Sequence, residues 1–330
     1  MLSRNEENFI WDAILKNKYQ IGSNENEIID HKKILNFAIK NNIEEFPLQI
    51  FSQLKINDQQ YQEARKIFNH KKLKTLSVFA AAINLFNDYV KNRIDFCSLK
   101  GTSYVPYLGI ENRNFRDIDV LVSMQDLSRA VDIATQHGFK FENNQKFSKS
   151  MAIAHDDVYG IPRLYNENGI LLEIHYRISQ KATEISCKLS NDILKSKQKI
   201  TFCDKQLYVP TQELSIIHFL YHATLKGNYD VGLSAIADYF KLMKKYKVDT
   251  EKLNLYAKKF NLIGELKSFD NLYLKHQDRK FDQISERNMK KLFLLPIYNK
   301  KLLQFDKAKG LNGKIKFLLN HIFVKKTVLA

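Results

Sequence analysis

The apolar pattern of the chain changes period twice, near residue 94 and near residue 180, and this constrains the fold more than any other feature. Up to about residue 93, apolar side chains recur three to four positions apart, as in Phe9 and Ala13 and again in Ile34, Phe37 and Ala38. That spacing predicts helices with one buried face. The run from Leu73 to Val90 is strongly apolar with few breakers and predicts a core helix. From Ile94 the runs become short. Ile94–Leu99 reads as a buried strand, and Asp117–Ser123 has β-branched residues at alternating positions. Gln125–His137 reads as a helix ended by Gly138, and Phe139–Phe141 starts a further strand. Leu164–Tyr165 and Ile170–Ile178 flank Asn168-Gly169, a strong tight-turn signal, so a β-hairpin is expected there. Helices then return, from Pro210 through Leu225 and from Val231 through Tyr246. Lys199–Val209 interrupts them, with Asp204-Lys205 expected to turn a small hairpin. The expected plan is a helical region 1–93, a mixed α/β core 94–180, and a mainly helical region 181–330 with a basic tail.

Charge narrows the partners. The 52 basic residues exceed the 36 acidic ones, giving +16. Such an excess favours nucleotides, nucleic acid or an anionic membrane surface. It is concentrated at the end of the chain, where residues 267–330 carry 15 basic and 5 acidic side chains. A solvated helical surface is the plainer reading of the same charges. Cys97, Cys187 and Cys203 are widely spaced and contain no CxxC, which argues against a disulfide framework or a cysteine zinc site. The N-terminal segment lacks the apolar core of a signal peptide, and no stretch approaches the roughly 18 apolar residues of a membrane span. A cytoplasmic location is expected, with peripheral attachment at the inner membrane surface left open.

Asp117 and Asp119 are two apart on an expected strand, so both carboxylates share one face. Two like charges held side by side repel by several kcal/mol at an interior dielectric. A cation between them removes that cost, and hard oxygen ligands facing a polyphosphate suit Mg²⁺ or Mn²⁺. Alone, the pair is by default a solvent-exposed one, since Asp-x-Asp is a common pattern. Three neighbours sharpen it. Lys100-Gly101-Thr102-Ser103 follows one strand and precedes an expected helix, a place where backbone amides favour anions. Lys100 supplies a point charge there, and Thr102 or Ser103 a hydroxyl. Thirteen residues separate Ser103 from Asp117, room for one helix and a turn. Glu173 and His175 alternate on the strand Ile170–Ile178, so a third carboxylate is placed to ligate metal or to take a proton from an attacking hydroxyl.

These segments resemble the signature of DNA polymerase β-like nucleotidyltransferases: a hydrophobic residue, Gly, then Gly or Ser, a spacer, and Asp-x-Asp. More narrowly, the chain is similar to a bacterial family of uncharacterised nucleotidyltransferases. That match rests on Leu99-Lys100-Gly101, Arg116 through Val122, Gly138-Phe139, Leu172 through Tyr176, Pro210 through Leu214, His218, His222-Ala223 and Asp238. The resemblance implies an α+β fold with a small mixed sheet flanked by helices. It implies Asp117, Asp119 and Glu173 as catalytic metal ligands, and Lys100, Gly101 and Ser103 as a cradle for the β- and γ-phosphates. The expected reaction moves a nucleoside monophosphate from a nucleoside triphosphate to a hydroxyl on a sugar, a sugar phosphate, a protein or an RNA end, releasing pyrophosphate. Thr102 departs from the Gly-Ser or Gly-Gly of the broad superfamily.

Secondary candidates are Arg116, expected to face opposite to Asp117 and to reach phosphate or pair with a surface acid, and His175, as a metal ligand or a satisfied strand histidine. His218 and His222 share one helix face, suited to polar packing or to nucleotide contact by His222. Asp238 is expected to pair with His222 or Lys226. His155 and the basic amphipathic tail Gly310–Lys326 complete the set. The alternative to an enzyme is a non-catalytic nucleotidyltransferase-like protein that binds nucleic acid or an anionic membrane through its basic C-terminal surface.

Overall fold

The computed structural model describes residues 30–110, 113–142, 161–179, 184–223 and 232–277, with Glu6, Phe9, Ile10, Ala13 and Ile14 before them. His155 and the tail beyond residue 277 lie outside the described residues.

Helices α1 (His31–Lys40), α2 (Glu45–Gln53) and α3 (Gln59–Lys91) fill the first region. Asp30 and Asp58 start α1 and α3, each side chain accepting from the backbone N–H three residues on, at 3.0 and 2.7 Å. Those amides have no intrahelical acceptor and need one. The sheet contains β1 (Phe96–Leu99), β2 (Asp117–Val122), β3 (Lys140–Phe141), β4 (Leu164–Tyr165) and β5 (Leu171–His175) in the order β1-β2-β5-β4-β3. Only the β2–β5 pair is parallel. Helix α4 (Lys100–Leu108) joins β1 to β2, and α5 (Leu127–Gln136) follows β2. Asn166 closes the β4–β5 turn, its side-chain oxygen accepting from Asn168 and Ile170 amides while Gly169 takes φ +67°.

Helix α6 (Glu184–Ser196) leads into the hairpin β6 (Gln198–Phe202) and β7 (Lys205–Val209), followed by α7 (Gln212–Tyr221), α8 (Gly232–Lys245), α9 (Thr250–Lys259) and α10 (Ile263–Gln277). The hairpin turns one residue earlier than its sequence suggested. Cys203 and Asp204 occupy the centre with φ +48° and +59°, and Phe202 pairs Lys205. A two-residue hairpin loop of this hand needs positive φ at both central positions, and Asp tolerates it better than most.

Period two along the strands divides the core in two. Phe96, Ile118, Val120, Leu172 and Ile174 pack with the C-terminal half of α3 and with Leu207 and Val209 of the hairpin. Cys97, Leu99 and Leu121 belong to a second cluster, which joins Ile34 and Phe51 of the early helices to Leu214, Leu220 and Tyr239 of the late ones. Each such side chain contributes about 1.5–3 kcal/mol of burial. The sheet is therefore covered on both faces. Asp117 and Asp119 share the face of Leu121, between the early and late helices.

Candidate active site

Register assembles the site. Asp119 lies opposite Leu99 on one side and Glu173 on the other, and Asp117 lies opposite Leu171. Ile118 and Val120 face the core, as does Leu172 across from Ile118. The apolar half of the alternation thus locks the polar half into place. A slip of one residue would drive every carboxylate into the core.

Asp119 is the centre of the group, with 1% of its surface exposed. Its Oδ1 receives Lys100 Nζ at 2.5 Å and His175 Nε2 at 3.0 Å. Burial works to raise its pKa, but the Lys100 charge and the His175 hydrogen bond hold the carboxyl well below the usual range. Asp117 moves the other way. Burial first and the Asp119 charge second push it up, with Lys100 opposing. Lys100 itself stays charged, because Asp119, then Asp117 and Glu173, outweigh the burial that would lower its pKa. Glu173 is held by Arg163 Nε at 3.1 Å and lies 3.7 Å from His175 Nε2.

Asp119, Glu173 and His175 offer ligand atoms that all lie within 4.8 Å of one another. This is a possible metal site, and the Lys100 ammonium already sits against it as a cation would. The sequence nominated Asp117, Asp119 and Glu173 together. In the structure His175 joins the close group, and Asp117 stands beside it as a second charge on the same face.

The Lys100–Ser103 segment is built differently from a free loop. Helix α4 begins at Lys100 itself, whose φ of +48° is left-handed. A non-glycine residue there carries strain of roughly 1 kcal/mol or more. That conformation makes the abrupt change from strand to helix. Thr102 and Ser103 are buried. The Thr102 hydroxyl meets that of Ser98 at 2.7 Å, and Ser103 Oγ donates to the Lys100 carbonyl at 2.8 Å. Both side chains brace the turn from within.

Gly101 is required by packing: a Cβ there would come within 2.5 Å of Phe115 Cγ and 2.6 Å of Phe115 Cβ. Gly101→Ala is therefore expected to cost about 1–3 kcal/mol, the usual range for overpacking a tight site. Thermal melting checks this, and Phe115→Ala in the same chain should recover part of the loss. A melting temperature unchanged by Gly101→Ala would contradict the contact.

Arg116 precedes β2, so strand alternation does not reach it. It is exposed and lines the same cleft as Asp117. His222 closes α7, half-buried, its ring 6.5 Å from His218, and it is not a member of the close metal-capable group. Asp238 binds Arg113 at 3.1 Å, a partner the sequence did not suggest, and Lys226 lies outside the described residues. Arg113 went unnoticed in the sequence because nothing local marks it. Its guanidinium also lies over the Tyr104 ring at 4.7 Å.

Residues 29–266 match the model of a family described as uncharacterised nucleotidyltransferase. No curated protein matches the chain.

Proposed function

Because the chain belongs to the uncharacterised nucleotidyltransferase family, whose activity is nucleotidyl transfer from a nucleoside triphosphate, we propose that it moves a nucleoside monophosphate to a hydroxyl acceptor and releases pyrophosphate. The observation that carries this reading is the register of Asp119 against Glu173, with Asp117 on the same face and Lys100 at Asp119. All three carboxylates that such chemistry uses are present.

Asp117, Asp119 and Glu173, with His175 in reach, would hold a divalent ion. Asp119, Glu173 and His175 fit one, with two carboxylate oxygens and an imidazole nitrogen all within 4.8 Å of one another, and Asp117 stands beside them on the same face. When bound, Mg²⁺ or Mn²⁺ would neutralise phosphate charge and acidify the acceptor hydroxyl.

The remaining work falls to the chain's own groups. The amides at the start of α4, near Lys100 and Gly101, favour the phosphates of the nucleotide. Buried Thr102 and Ser103 keep that turn rigid, and Arg116 presents a further cation. Lys100, charged and anchored on Asp119, is positioned to exchange its carboxylate for a phosphate oxygen. Glu173 is the group to receive the acceptor proton, since it is the least buried of the close set and Arg163 orients it. The acceptor oxygen attacks the α-phosphorus as the bond to pyrophosphate breaks, and pyrophosphate leaves with its charge. His222 is proposed for nucleotide contact on family resemblance alone.

Incubating the full chain with each labelled nucleoside triphosphate, a divalent ion and a cell extract tests the proposal. Pyrophosphate release and a labelled acceptor are expected, and both should vanish with EDTA. If no nucleotide releases pyrophosphate with any extract, the reading fails. A purely binding protein would have no need of three carboxylates gathered around one lysine, with Asp119 fully buried among them.

A further inference from the structure

A cleft of about 800 Å³ opens beside Asp117, between α3, the segment Arg113–Asp117 and α8. That volume lies in the range of small-molecule sites. Six cationic side chains line it against three carboxylates. Three of the cations are already matched: Lys71 with Glu44 at 2.7 Å, Lys241 with Glu45, and Arg113 with Asp238. Lys66, Lys74 and Arg116 have no carboxylate partner among the described residues.

The helix arranges two of these on purpose-like spacing. Lys66, His70 and Lys74 are four apart, so they form one row along α3. At about 1.5 Å per residue the row spans roughly 12 Å, longer than a single ion requires. Thr75 ties the row to the catalytic strand. Its hydroxyl donates to the Lys71 carbonyl at 2.9 Å and accepts the Phe115 amide at 3.3 Å. Phe115 stands two residues before Asp117. Two buried polar atoms of the same segment, Arg113 Nη1 and Asn114 Oδ1, find no partner among the described residues. One is a donor suited to an anion, and the other is an acceptor suited to a hydroxyl.

We propose that this cleft binds a phosphate-bearing, hydroxyl-rich ligand through Lys66, His70, Lys74 and Arg116, and delivers it to Asp117. Its chemistry is that of a nucleotide's polyphosphate tail or of a phosphorylated sugar acceptor. The proposal rests on the nucleotidyl-transfer reading for what happens at Asp117, but phosphate binding in the cleft does not depend on turnover. A row of solvated lysines on an open helix would be the plainer account. The row is itself exposed, and it is the half-open cleft beside it, the two orphaned polar atoms of Arg113 and Asn114 and the tether to Asp117 that distinguish it from such a surface.

Calorimetry of the full chain in EDTA at low salt, with inorganic tripolyphosphate as probe, tests it. Lys66→Ala/Lys74→Ala should weaken binding about tenfold or more, the loss expected for removing charge-assisted contacts. Lys32→Ala/Lys55→Ala, exposed lysines outside the cleft, removes the same charge and should leave affinity unchanged. Equal affinity in the cleft variant and the unmodified chain would overturn the proposal, as would equal losses in both double variants or no binding by the unmodified chain. Nucleoside triphosphates then separate the two sources. A parallel loss of nucleotide affinity in the cleft variant supports the polyphosphate tail. Unchanged nucleotide affinity with lost tripolyphosphate affinity supports a phosphorylated acceptor. Failure of the transfer reading itself shows separately, as absent pyrophosphate release in the unmodified chain.

Discussion

Asp119→Asn is expected to lower divalent-ion-dependent pyrophosphate release by at least about 10³-fold, the scale of removing a principal electrostatic group from an active site. The substitution keeps the volume of a side chain that is 1% exposed, so packing against Leu99 and Glu173 survives. What disappears is the charge. Lys100 and His175 both direct a polar hydrogen at Oδ1 of Asp119, and an amide oxygen is a weaker partner for either. Lys100 does not become wholly uncompensated, because Asp117 and Glu173 also act on it. The loss should therefore appear in kcat far more than in melting temperature. It should also exceed the loss in His175→Gln, which leaves all three carboxylates in place. Activity within tenfold of the unmodified chain would remove Asp119 from the centre of the site.

Much of this arrangement was legible in the sequence, and the reasons are local. Asp117 and Asp119 could be put on one face because strand alternation is a covalent property of extended backbone. Glu173 and His175 followed from the same rule, with Leu172 and Ile174 as the apolar half. Asn168-Gly169 announced the turn that brings β5 back after β4. What the sequence left open was whichever feature depends on two distant segments. The 2.5 Å contact of Lys100 with Asp119 requires the strand pairing of β1 with β2. A Cβ at 101 would meet Phe115, and only the packed structure brings the two together. Arg116 lies one residue before the strand, so alternation alone could not place it. The Lys66–His70–Lys74 row was present as an i, i+4 pattern. Nothing local separates it from a solvated helix face, and only the fold sets Arg113–Asp117 and α8 beside it as the other walls of a half-open cleft.

Lys100→Ala is expected to destabilise the chain in the absence of divalent ions, and the ion is expected to reverse much of that loss. Lys100 is the ammonium that holds Asp119 ionised in a buried setting, and its own side chain is only 22% exposed. Breaking a buried pair by removing one partner costs about 3–5 kcal/mol, because the other charge stays behind. The lower end applies here, since His175 still donates to Asp119 and part of Lys100 reaches solvent. About 3 kcal/mol corresponds to a melting temperature roughly 6–12 °C lower for a domain of this size class. Left-handed φ at position 100 is as unfavourable for Ala as for Lys, so backbone strain does not enter the difference. A divalent ion supplies to Asp119 the positive charge that Ala cannot. Mn²⁺ should therefore raise the melting temperature of the variant by more than that of the unmodified chain, where ion and ammonium compete for one carboxylate. Nucleotide affinity should move in the opposite direction, weakening as the charge meant for phosphate is lost. Differential scanning fluorimetry with a Mn²⁺ titration reads the first effect, and calorimetry with a nucleoside triphosphate reads the second. Equal melting shifts on adding Mn²⁺ would mean that Lys100 does not occupy the cation's place at Asp119, and the ammonium would then be a structural partner alone.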